Sequence, residues 1–592
     1  MKTSTSIVII FMALSQLACQ TSTLDAVQET AGLSKQPNII LILADDMGLT
    51  DVGAFGSEIK TPNLDKLAYE GTRLTNFHAS PQCAPTRAIL MSGTGNHTAG
   101  MGSMFDGTFL KNWDVTLKGY EGYLHQRVAS LPERLKDAGY HTYMAGKWHL
   151  GGDEQKKPTA RGFEEAFALM QGNSNHMVRA SAAGPAAARL PVFREHGKVL
   201  DKLPKDFYST DTFTSKVIEY IDANQQDEKP FFAYLAVTSP HWPLQVPEQY
   251  KDLYAGQYDQ GYDALRAARV KRAEELGVIP KVDPAAYSLI GESWNELTPE
   301  RQRYSARSME LYAAMMHNLD DNVGRILTYL EEIDELDNTL IFFMSDNGAE
   351  PEIEYNPTFG NAVLRSKFYD NSYDNMGNAD SWIFYGPGWA QAATAPFRMY
   401  KGSLAEGGTR VAAIAWHPTL NSESINSQYL SVMDLMPTFL DLAGAKFDPT
   451  RYADRDVVPM EGRSFGSVLK GENNLIYTAD DIIAKELHGQ RMLKRGNYKI
   501  LWEQRHAQMY YAGNAESHWR SWRLFNLKDD PTETVDLSDA MPELKRELIA
   551  LWDQWADENG VRRDIEAYWK HPLVDGIESL GRPAGKVYPV VH

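Results

Sequence analysis

Four short apolar runs, each followed at once by charged or imidazole-bearing residues, dominate the pattern of this sequence. The first run, Asn38 to Ala44 (NIILILA), ends at Asp45 and Asp46. An unbroken apolar run of this length is typical of a parallel strand that is buried on both faces. The other three runs, each with the polar residues that follow it, are Tyr140 to Ala145 with Lys147 and His149, Pro230 to Val237 with His241, and Thr339 to Met344 with Asp346 and Asn347. Because the carboxyl ends of parallel strands meet at one edge of a sheet, these polar residues are expected to form one site.

Segments with helical periodicity lie between the apolar runs. The clearest of them are Leu64 to Tyr69, Leu131 to Ala138, Thr212 to Ala223 and Ser305 to Ile333. Alternation of strands and helices predicts an α/β fold, with a large and mostly parallel mixed sheet sandwiched by helices.

The pattern changes near Tyr477. Beyond it lie two shorter strand-like segments, Arg495 to Trp502 and Trp522 to Leu527, and an amphipathic helix from Pro542 to Glu558. We therefore predict a main α/β domain over residues 36–476 and a smaller C-terminal α+β domain with a short antiparallel sheet over residues 477–592.

Two long segments inside the main domain do not follow its regular pattern. Ala255 to Glu300 is charged and predicted to be helical, and Glu350 to Pro396 is irregular and rich in Asn, Tyr, Gly and Trp. Long loops in compact domains tend to be functional. We expect specificity to depend on Glu350 to Pro396 and on Met177 to Val199.

The first residues have the pattern of an export signal. Lys2 precedes the apolar run Ile7 to Leu14, and small residues follow up to Ala18 and Cys19. The run is too short to span a bilayer. We predict a signal peptide over residues 1–18, a linker over 19–35, and an exported protein located in the periplasm or anchored to the outer membrane as a lipoprotein through acylated Cys19. Simple secretion without a lipid anchor is the alternative.

Charge excludes one class of partner. The 592 residues contain 59 Lys and Arg against 78 Asp and Glu, a formal net charge of −19. Nucleic-acid binding needs a positive surface, so no nucleic-acid partner is predicted. An anionic substrate must instead be held by a local positive site, formed by a metal ion or by clustered Lys, Arg and His.

Cys83 is the only cysteine after Cys19, so the exported domain has no internal disulfide. It begins the segment CAPTR, in which Pro85 suits the first turn of a helix. This places Cys83 at a helix N-terminus, where N–H groups and the helix dipole stabilise an anion, with Arg87 one turn later on the same face. A buried, inert cysteine is the alternative interpretation.

CAPTR resembles the CxPxR signature of the type I sulfatases of the alkaline-phosphatase superfamily, and GKWHLG at Gly146 to Gly151 resembles their second motif. The resemblance covers about residues 36 to 560 in the family's order. Further matching segments are PNIILILADDMG, TPNLDKLAYEG, SPHWPLQ, MSDNGAE, KGSLAEGGTR and LFNLKDDPTE, and FYSTD, FFAYL and YGPGWAQAATAP are similar to bacterial arylsulfatases. The resemblance implies an alkaline-phosphatase-like fold that hydrolyses sulfate esters of aryl alcohols or sugars to the alcohol and inorganic sulfate.

A metal site is predicted from the paired oxygen ligands at two strand ends. Asp45 and Asp46 follow one strand, and Asp346 and Asn347 follow another. Hard oxygen ligands suit Ca²⁺ or Mg²⁺ better than Zn²⁺, and the resemblance implies one Ca²⁺, with residue 83 as a further ligand. Turn or cap residues are the alternative interpretation.

The resemblance also assigns a set of basic residues to the site: Arg87, Lys147, His149, His241 and Lys401. A sulfate ester needs fixed cations on its sulfuryl oxygens and an acid at the leaving oxygen. His97, His125 and His176 have no such support and are predicted to be structural.

The resemblance implies that a maturation enzyme oxidises Cys83 to formylglycine, whose hydrate attacks sulfur. Asp346 is then the base, and His241 and Lys401 are the proton donors to the alcohol. His149 takes a proton from the second hydroxyl, and Arg87 and Lys147 hold the diol and the sulfuryl oxygens.

Two alternatives remain open from the sequence. A phosphoester or phosphonate monoester hydrolase of the same superfamily would share the sheet and the Asp pairs, although CAPTR disfavours it. A non-catalytic lipoprotein that binds sulfated glycans would be expected to lack some of the charged residues, and all are present.

Overall fold

The computed structural model describes residues 36–104, 117–178, 191–282, 291–352, 369–420, 424–472, 474–503 and 521–563. The predicted signal peptide 1–18 and linker 19–35 lie outside the described residues, as does Cys19. The domain boundary near Tyr477 stays a prediction. Among the described residues, no helix is both long and apolar enough to cross a membrane.

A large mixed sheet forms the centre of the fold. Its strands, as far as the described residues show, are β1 (Asn38–Ala44), β2 (Thr72–His78), β3 (His141–Lys147), β4 (Glu165–Leu169), β5 (Phe193–Glu195), β6 (Lys198–Val199), β7 (Phe231–Ala236), β8 (Thr339–Ser345), β9 (Arg410–Trp416), β10 (Ser424–Asn426) and β11 (Leu430–Ser431). Their order is β10-β2-β9-β8-β1-β7-β3-β4-β5-β6, with β11 also paired to β2. The four predicted apolar runs become β1, β3, β7 and β8.

The centre of the sheet is parallel and its flanks are mixed. Leu41 of β1 lies opposite Tyr234 of β7 on one side and Phe342 of β8 on the other, all in parallel register. Strand β9 is antiparallel to both β8 and β2, and β5 is antiparallel to β4. The prediction of a large, mostly parallel mixed sheet is confirmed.

The helices of the described residues are α1 (Pro62–Glu70), α2 (Cys83–Ser92), α3 (Leu131–Asp137), α4 (Ser209–Ala223), α5 (Gly261–Glu275), α6 (Pro299–Glu332), α7 (Pro387–Ala393), α8 (Glu406–Thr409), α9 (Leu435–Leu442), α10 (Gly466–Leu469) and α11 (Pro542–Glu558). Helix α6 begins earlier than the predicted Ser305 because Thr298 caps it, accepting a hydrogen bond from the Arg301 N–H at 3.3 Å. Among the described residues of the predicted helical segment Ala255 to Glu300, the long helix is α5. The irregular segment Glu350 to Pro396 contains α7.

Helices cover both faces of the sheet. On one face, Ile40 and Ile42 of β1 share an apolar core with Val217 of α4 and Leu319 of α6. On the other face, Phe439 of α9 contacts Phe232 and Phe342, with ring centroids 6.5 and 6.0 Å apart. Successive residues of a strand point to opposite faces of the sheet. Because nearly all residues of β1, β7 and β8 are buried, both faces of these strands are covered.

A second, antiparallel sheet lies in the C-terminal part of the chain. It contains β14 (Ile482–Leu487), β15 (Gln490–Arg495), β16 (Tyr498–Trp502) and β17 (Trp522–Asn526), in that order, while β12 (Arg451–Tyr452) and β13 (Arg455–Asp456) form a separate small ribbon. The single strand-like segment predicted from Arg495 to Trp502 is wrong at its start: Gly496, with φ of +56°, allows the turn between β15 and β16.

Successive residues of this second sheet point into two different cores. Leu493, Ile500 and Leu524 pack with Trp552 of α11. Their neighbours Met492, Leu501 and Phe525 belong to the core of the large sheet instead. The second sheet therefore packs against the main fold through one face and against its own helix through the other.

Buried ion pairs join the second sheet to the loop that carries Lys401. Lys499 of β16 contacts Glu406 at 2.9 Å and Glu533 at 2.8 Å, and all three side chains are buried. Glu503, just after β16, accepts hydrogen bonds from Arg398 at 2.8 Å and from the Ser403 hydroxyl at 3.2 Å. The loop is thus fixed on both sides of Lys401.

We expect Glu503→Ala to destabilise the protein by about 3–5 kcal/mol at pH 7, because Arg398 and Arg523 would stay buried without their carboxylate. Burial alone would raise the pKa of Glu503, but these two arginines outweigh it and lower the pKa to about 2. Since this folded-state pKa lies below the unfolded value, the contribution is present above about pH 4.5 and is lost as the pH falls towards 2.

Denaturant unfolding of both proteins between pH 7 and pH 3 checks this, and the difference between them should narrow with acidification. Glu543→Ala is the control, because Glu543 pairs with Arg546 on the surface and should matter little. A Glu503→Ala protein as stable as the parent at pH 7 would contradict the proposed fixing of the loop.

Candidate active site

The polar residues predicted at the strand ends do meet at one edge of the sheet. Each lies at or just after the carboxyl end of a central strand, and each is buried: Asp45 and Asp46 (β1), Lys147 (β3), His241 (β7), Asp346 and Asn347 (β8). Lys401, on the loop fixed by the second sheet, and Cys83, on α2, complete the set. Parallel packing of apolar strands thus places carboxylates and cations together without a local sequence motif.

Cys83 is the first residue of α2, as Pro85 predicts. Gln82 caps the helix with extended backbone angles, φ −145° and ψ 149°. The Cys83 thiol points to Asp46 Oδ1 at 3.7 Å. Burial and the charge of Asp346 raise the pKa of this thiol well above its usual value, so the unmodified cysteine is a poor nucleophile here.

Arg87, one turn further along α2, is fully buried and holds Asp346. Its Nε and Nη2 donate to Asp346 Oδ2 at 3.2 and 2.7 Å, and its Nη1 donates to the Lys147 carbonyl at 2.8 Å. These contacts orient Asp346. The predicted role of Arg87 toward the substrate stays a prediction.

Lys147 forms a fully buried ion pair with Asp45. Its Nζ lies 2.8 Å from Oδ1 and 2.6 Å from Oδ2. Burial, helped by Asp346 and Asp46 and opposed by Lys147, raises the pKa of Asp45 to about 8. Gly146, the residue before Lys147, allows β3 to pack closely against β7, because its φ is +122° and a Cβ there would lie 1.9 Å from the carbonyl oxygen of Ala236.

Asp46 contacts site residues through both of its carboxylate oxygens. Its backbone has a left-handed φ of 70°. Its Oδ1 accepts from Asn347 Nδ2 at 2.7 Å, on the side of Cys83. Its Oδ2 faces Lys401 Nζ at 2.8 Å and His241 Nε2 at 3.2 Å. Burial alone would raise the pKa of Asp46, but His241 and Lys401 outweigh it and hold the pKa well below its usual range.

Glu350 is a site residue that the sequence analysis did not single out. Its Oε2 accepts from Lys401 Nζ at 2.5 Å, and its side chain is buried. Burial, with the charge of Asp46 and against that of Lys401, raises the pKa of Glu350 to about 7. Its place in MSDNGAE, three residues after Asn347, is the only signal that would have marked it.

His149 is buried near the same cluster. It has a left-handed φ of 56°, and its ring packs over Gly172, where a Cβ would lie 2.6 Å from Cε1. Burial, with the charges of Lys147 and Arg87, lowers the pKa of His149 well below its usual value.

Of the three histidines predicted to be structural, two make their contacts away from the candidate active site. His97 pairs with Glu486 at 2.8 Å, and His125 Nδ1 accepts from the Arg127 N–H at 3.0 Å. His176 Nε2, in contrast, donates to the backbone carbonyl of His241 at 2.9 Å. His176 therefore helps to fix His241, a role that its position in the sequence did not indicate.

The predicted ligands fit a hard cation. Asp45, Asp46, Cys83 and Asp346 each present a ligand atom within 4.8 Å of the others. Asn347 donates from Nδ2 to Asp46 and to the Gly348 carbonyl, and its buried Oδ1 has no hydrogen-bond partner among the described residues. A buried, unpartnered amide oxygen beside three carboxylates matches the ligand set of Ca²⁺ or Mg²⁺.

Comparison with known proteins agrees with this geometry. The profile of the Sulfatase family matches residues 37–445, more than half of the chain. The chain belongs to the sulfatase family. It is similar to an uncharacterized sulfatase of Schizosaccharomyces pombe, with 44% identity over 89% of this chain and 95% of the relative. It is also 39% identical to an arylsulfatase of Klebsiella aerogenes, over 74% of this chain and 93% of that enzyme.

Solved structures share the fold of this sulfatase. The structure of Ps i-CgsB in complex with k-i-k-neocarrahexaose superposes with a TM-score of 0.62 at 24% identity, covering 92% of this chain and 96% of that one. The prediction of an alkaline-phosphatase-like sulfatase fold is confirmed. The chain is accordingly a sulfuric ester hydrolase.

Proposed function

We propose that this sulfatase hydrolyses sulfate esters with a formylglycine made from Cys83 and with one bound Ca²⁺. The observation that carries the proposal is the position of Cys83 at the start of α2, 3.7 Å from Asp46, between two carboxylates and two buried lysines. The maturation enzyme that oxidises Cys83 is the protein partner this implies. The hydrate of formylglycine would supply a hydroxyl as the nucleophile, at the position where the unmodified cysteine carries a protonated thiol.

Asp45, Asp46, Asp346 and Asn347 would hold the calcium ion, with residue 83 as the fifth ligand. When bound, the ion would supply positive charge next to the anionic sulfuryl group and the hydroxyl of residue 83. Coordination would stabilise Asn347 Oδ1 most, because this oxygen is buried and has no hydrogen-bond partner in the described part of the chain.

On the nucleophile side, Asp346 takes a proton from the hydroxyl of residue 83. Arg87 donates two hydrogen bonds to Oδ2 of Asp346, and the Asp46 N–H donates to its Oδ1 at 3.2 Å. These contacts fix the carboxylate towards the start of α2. Lys147 is paired with Asp45, and its charge stabilises the sulfuryl oxygens.

On the leaving-group side, one proton passes to the departing oxygen, and His241 and Lys401 are the two candidate donors of it. His241 Nδ1 donates to the Trp242 carbonyl at 2.7 Å, which directs Nε2 towards the site. Burial lowers the pKa of His241 well below its usual value and the charge of Asp46 opposes this, so the ring must take up a proton at Nε2 before it can act as the acid. His149 accepts the proton whose removal releases sulfate from residue 83.

The substrate we propose is a sulfate ester of an aryl alcohol or a sugar. The arylsulfatase name of the K. aerogenes relative supports the aryl class, and the name of an N-acetylgalactosamine-6-sulfatase of Homo sapiens, 28% identical over 88% of this chain, supports the sugar class. We further propose that the protein is exported, with residues 1–18 removed and Cys19 acylated. Mass spectrometry of the mature N-terminus distinguishes this from simple secretion.

A leaving-group series tests the mechanism. We expect protein with formylglycine at residue 83, verified by mass spectrometry, to release sulfate from 4-nitrophenyl sulfate and from sugar sulfates. His241→Ala should lower kcat on a sugar sulfate by about 10²-fold or more and on 4-nitrophenyl sulfate by less, because nitrophenolate leaves readily without a proton.

Lys147→Ala is the matched control, because Lys147 serves the sulfuryl group that all substrates share and should slow both alike. The measurement is kcat/KM across alcohols of increasing pKa. The same leaving-group dependence in the parent and in His241→Ala would remove His241 from the acid role. Failure of the verified parent to release sulfate from any ester would refute the proposed function itself.

A further inference from the structure

Lys401 is held by two carboxylates and by a backbone hydrogen bond to the segment that follows β8. Its Nζ contacts Asp46 Oδ2 at 2.8 Å and Glu350 Oε2 at 2.5 Å. The Lys401 N–H donates to the carbonyl of Ala349, the neighbour of Glu350, at 3.0 Å. The mechanism described above gives a role to Lys401 and to Asp46, but none to Glu350.

Glu350 belongs to a short segment, residues 348–350, that packs closely against α8. The Gly348 N–H donates to the Gly408 carbonyl at 3.1 Å. A Cβ at Gly348 would lie 2.1 Å from the carbonyl oxygen of Gly407, so the two backbones approach as closely as only glycine allows. The backbone that carries Glu350 therefore has little room to move.

The Glu350 carboxylate is oriented, whereas the Asp46 carboxylate is shared. Oε1 of Glu350 accepts from the Glu352 N–H at 3.2 Å, which directs Oε2 to Lys401. Oδ2 of Asp46 faces His241 Nε2 at 3.2 Å in addition to Lys401. A lysine side chain is long and flexible, so one shared carboxylate leaves its ammonium poorly fixed, and a second carboxylate restrains it.

Burial makes this second carboxylate important. Asp46, Lys401 and Glu350 are only 1%, 3% and 4% exposed. Interactions between charges are screened less in such a place than at the surface, and solvent does not replace a partner that is removed. Loss of the Glu350 charge would therefore change where the Lys401 ammonium lies, and would not simply exchange one contact for a water molecule.

We propose that Glu350 is a positioning residue for sulfate-ester hydrolysis: its carboxylate holds the Lys401 ammonium on the leaving-group side of the site. Cys83 lies by Oδ1 of Asp46 and Lys401 by Oδ2. In an in-line displacement the leaving oxygen departs opposite the nucleophile, so the held ammonium meets the negative charge that develops on that oxygen. Glu350 acts on the alcohol only through Lys401. The inference rests on the proposed function.

Two substrates that differ in a single nitro group test this: 4-nitrophenyl sulfate and phenyl sulfate, which releases the poorer leaving group. The measure is the ratio of kcat/KM on phenyl sulfate to kcat/KM on 4-nitrophenyl sulfate within one protein, in which a general loss of activity cancels. Lys401→Ala should lower this ratio about 10-fold, because the poorer leaving group depends more on the ammonium. Glu350→Gln should lower it about 5-fold, because a neutral amide holds the ammonium less firmly.

A double-mutant cycle shows whether Glu350 acts through Lys401. Adding Glu350→Gln to Lys401→Ala should leave the ratio at its Lys401→Ala value, because the group that Glu350 holds is already absent. Calcium content is the readout independent of activity, and it should be the same in Glu350→Gln and in the parent. Glu486→Gln is the matched control, since Glu486 is 2% exposed and pairs with His97 at 2.8 Å, and its ratio should equal that of the parent. If Glu350→Gln does not fold, Glu350→Ala completes the same cycle.

Each other outcome overturns a defined claim. A Glu350→Gln ratio equal to that of the parent would overturn the inference, while sulfate release by the parent upholds the proposed function. A further fall of the ratio in the double variant would show that Glu350 acts independently of Lys401, and a loss of calcium in Glu350→Gln would assign it to the metal; both contradict the positioning role. No sulfate release from either ester by the verified parent would overturn the proposed function and the inference with it.

Discussion

Replacing Cys83 by alanine should abolish turnover and leave the fold intact. Alanine cannot form the aldehyde or its hydrate, so kcat/KM on any sulfate ester should fall about 10⁴-fold or more. The free energy of unfolding should change by about 1 kcal/mol or less, because the substitution removes one sulfur atom at the first position of α2 and keeps the helix. Sulfate release and denaturant unfolding measure the two effects.

The control for this substitution is the parent sequence produced without a formylglycine-generating enzyme. That protein keeps Cys83, whose buried thiol is a poor nucleophile, and should be as inactive as the alanine variant. Coexpression with the maturation enzyme should restore activity to the parent and not to Cys83→Ala. Sulfate release by the alanine variant at a rate near that of the converted parent would show that residue 83 is not the nucleophile.

The central strands were predictable because burial on both faces leaves a simple trace in the sequence. Strand β1 has the predicted bounds, and β8 is one residue longer than predicted. Strand β2 (TRLTNFH) was missed, since its polar residues break the apolar run. They are nonetheless largely buried: Arg73 donates to the Ala54 carbonyl at 3.3 Å, and Thr75 is 1% exposed. Those contacts come from distant parts of the chain and leave no local pattern.

The site residues likewise include some that the apolar strands predict and some that they do not. Asp45, Asp46 and Asp346 follow apolar strands, so the physics of the sheet places them together. Lys401 was assigned only through the family resemblance, because its position depends on a loop that distant ion pairs of Glu406 and Glu503 hold in place. Glu350 reaches the site by contact with that same lysine. Neither contact follows from spacing along the chain.

These ion pairs also connect the second sheet to the candidate active site. The sheet contributes no atom to the cluster around Cys83 in the described structure, yet it fixes the loop residues on both sides of Lys401. The His176 contact with the His241 carbonyl acts in the same way on the opposite side. Both proposed proton donors are therefore held by groups outside the cluster, which favours a pre-organised leaving-group side.

Replacing Asp45 by asparagine should remove the calcium ion and most of the activity. Asparagine keeps the shape of the side chain and can still accept from Lys147, but it removes one of the three clustered carboxylates, Asp45, Asp46 and Asp346. We expect less than one calcium per chain and a fall in kcat/KM of about 10²-fold or more. Elemental analysis of the purified proteins gives the metal content directly.

Chelation adds a readout independent of activity. A ligand that binds only the folded state raises the melting temperature, so a chelator should lower Tm of the parent and have little effect on Asp45→Asn. Glu350→Gln is the matched control, since Glu350 contacts Lys401 and is not among the predicted calcium ligands. It should keep one calcium per chain and the response of Tm to the chelator.

The same control separates this enzyme from a two-metal phosphoesterase. A second cluster of side chains that could hold a metal ion consists of Asp46, His241 and Glu350. The ammonium group of Lys401, however, already contacts Asp46 and Glu350. Because a lysine held between Asp46 and Glu350 supplies positive charge where a second ion would otherwise be needed, we expect one metal in both the parent and Glu350→Gln. Two zinc ions in the parent, reduced to one in Glu350→Gln, would assign the site to phosphoester hydrolysis instead.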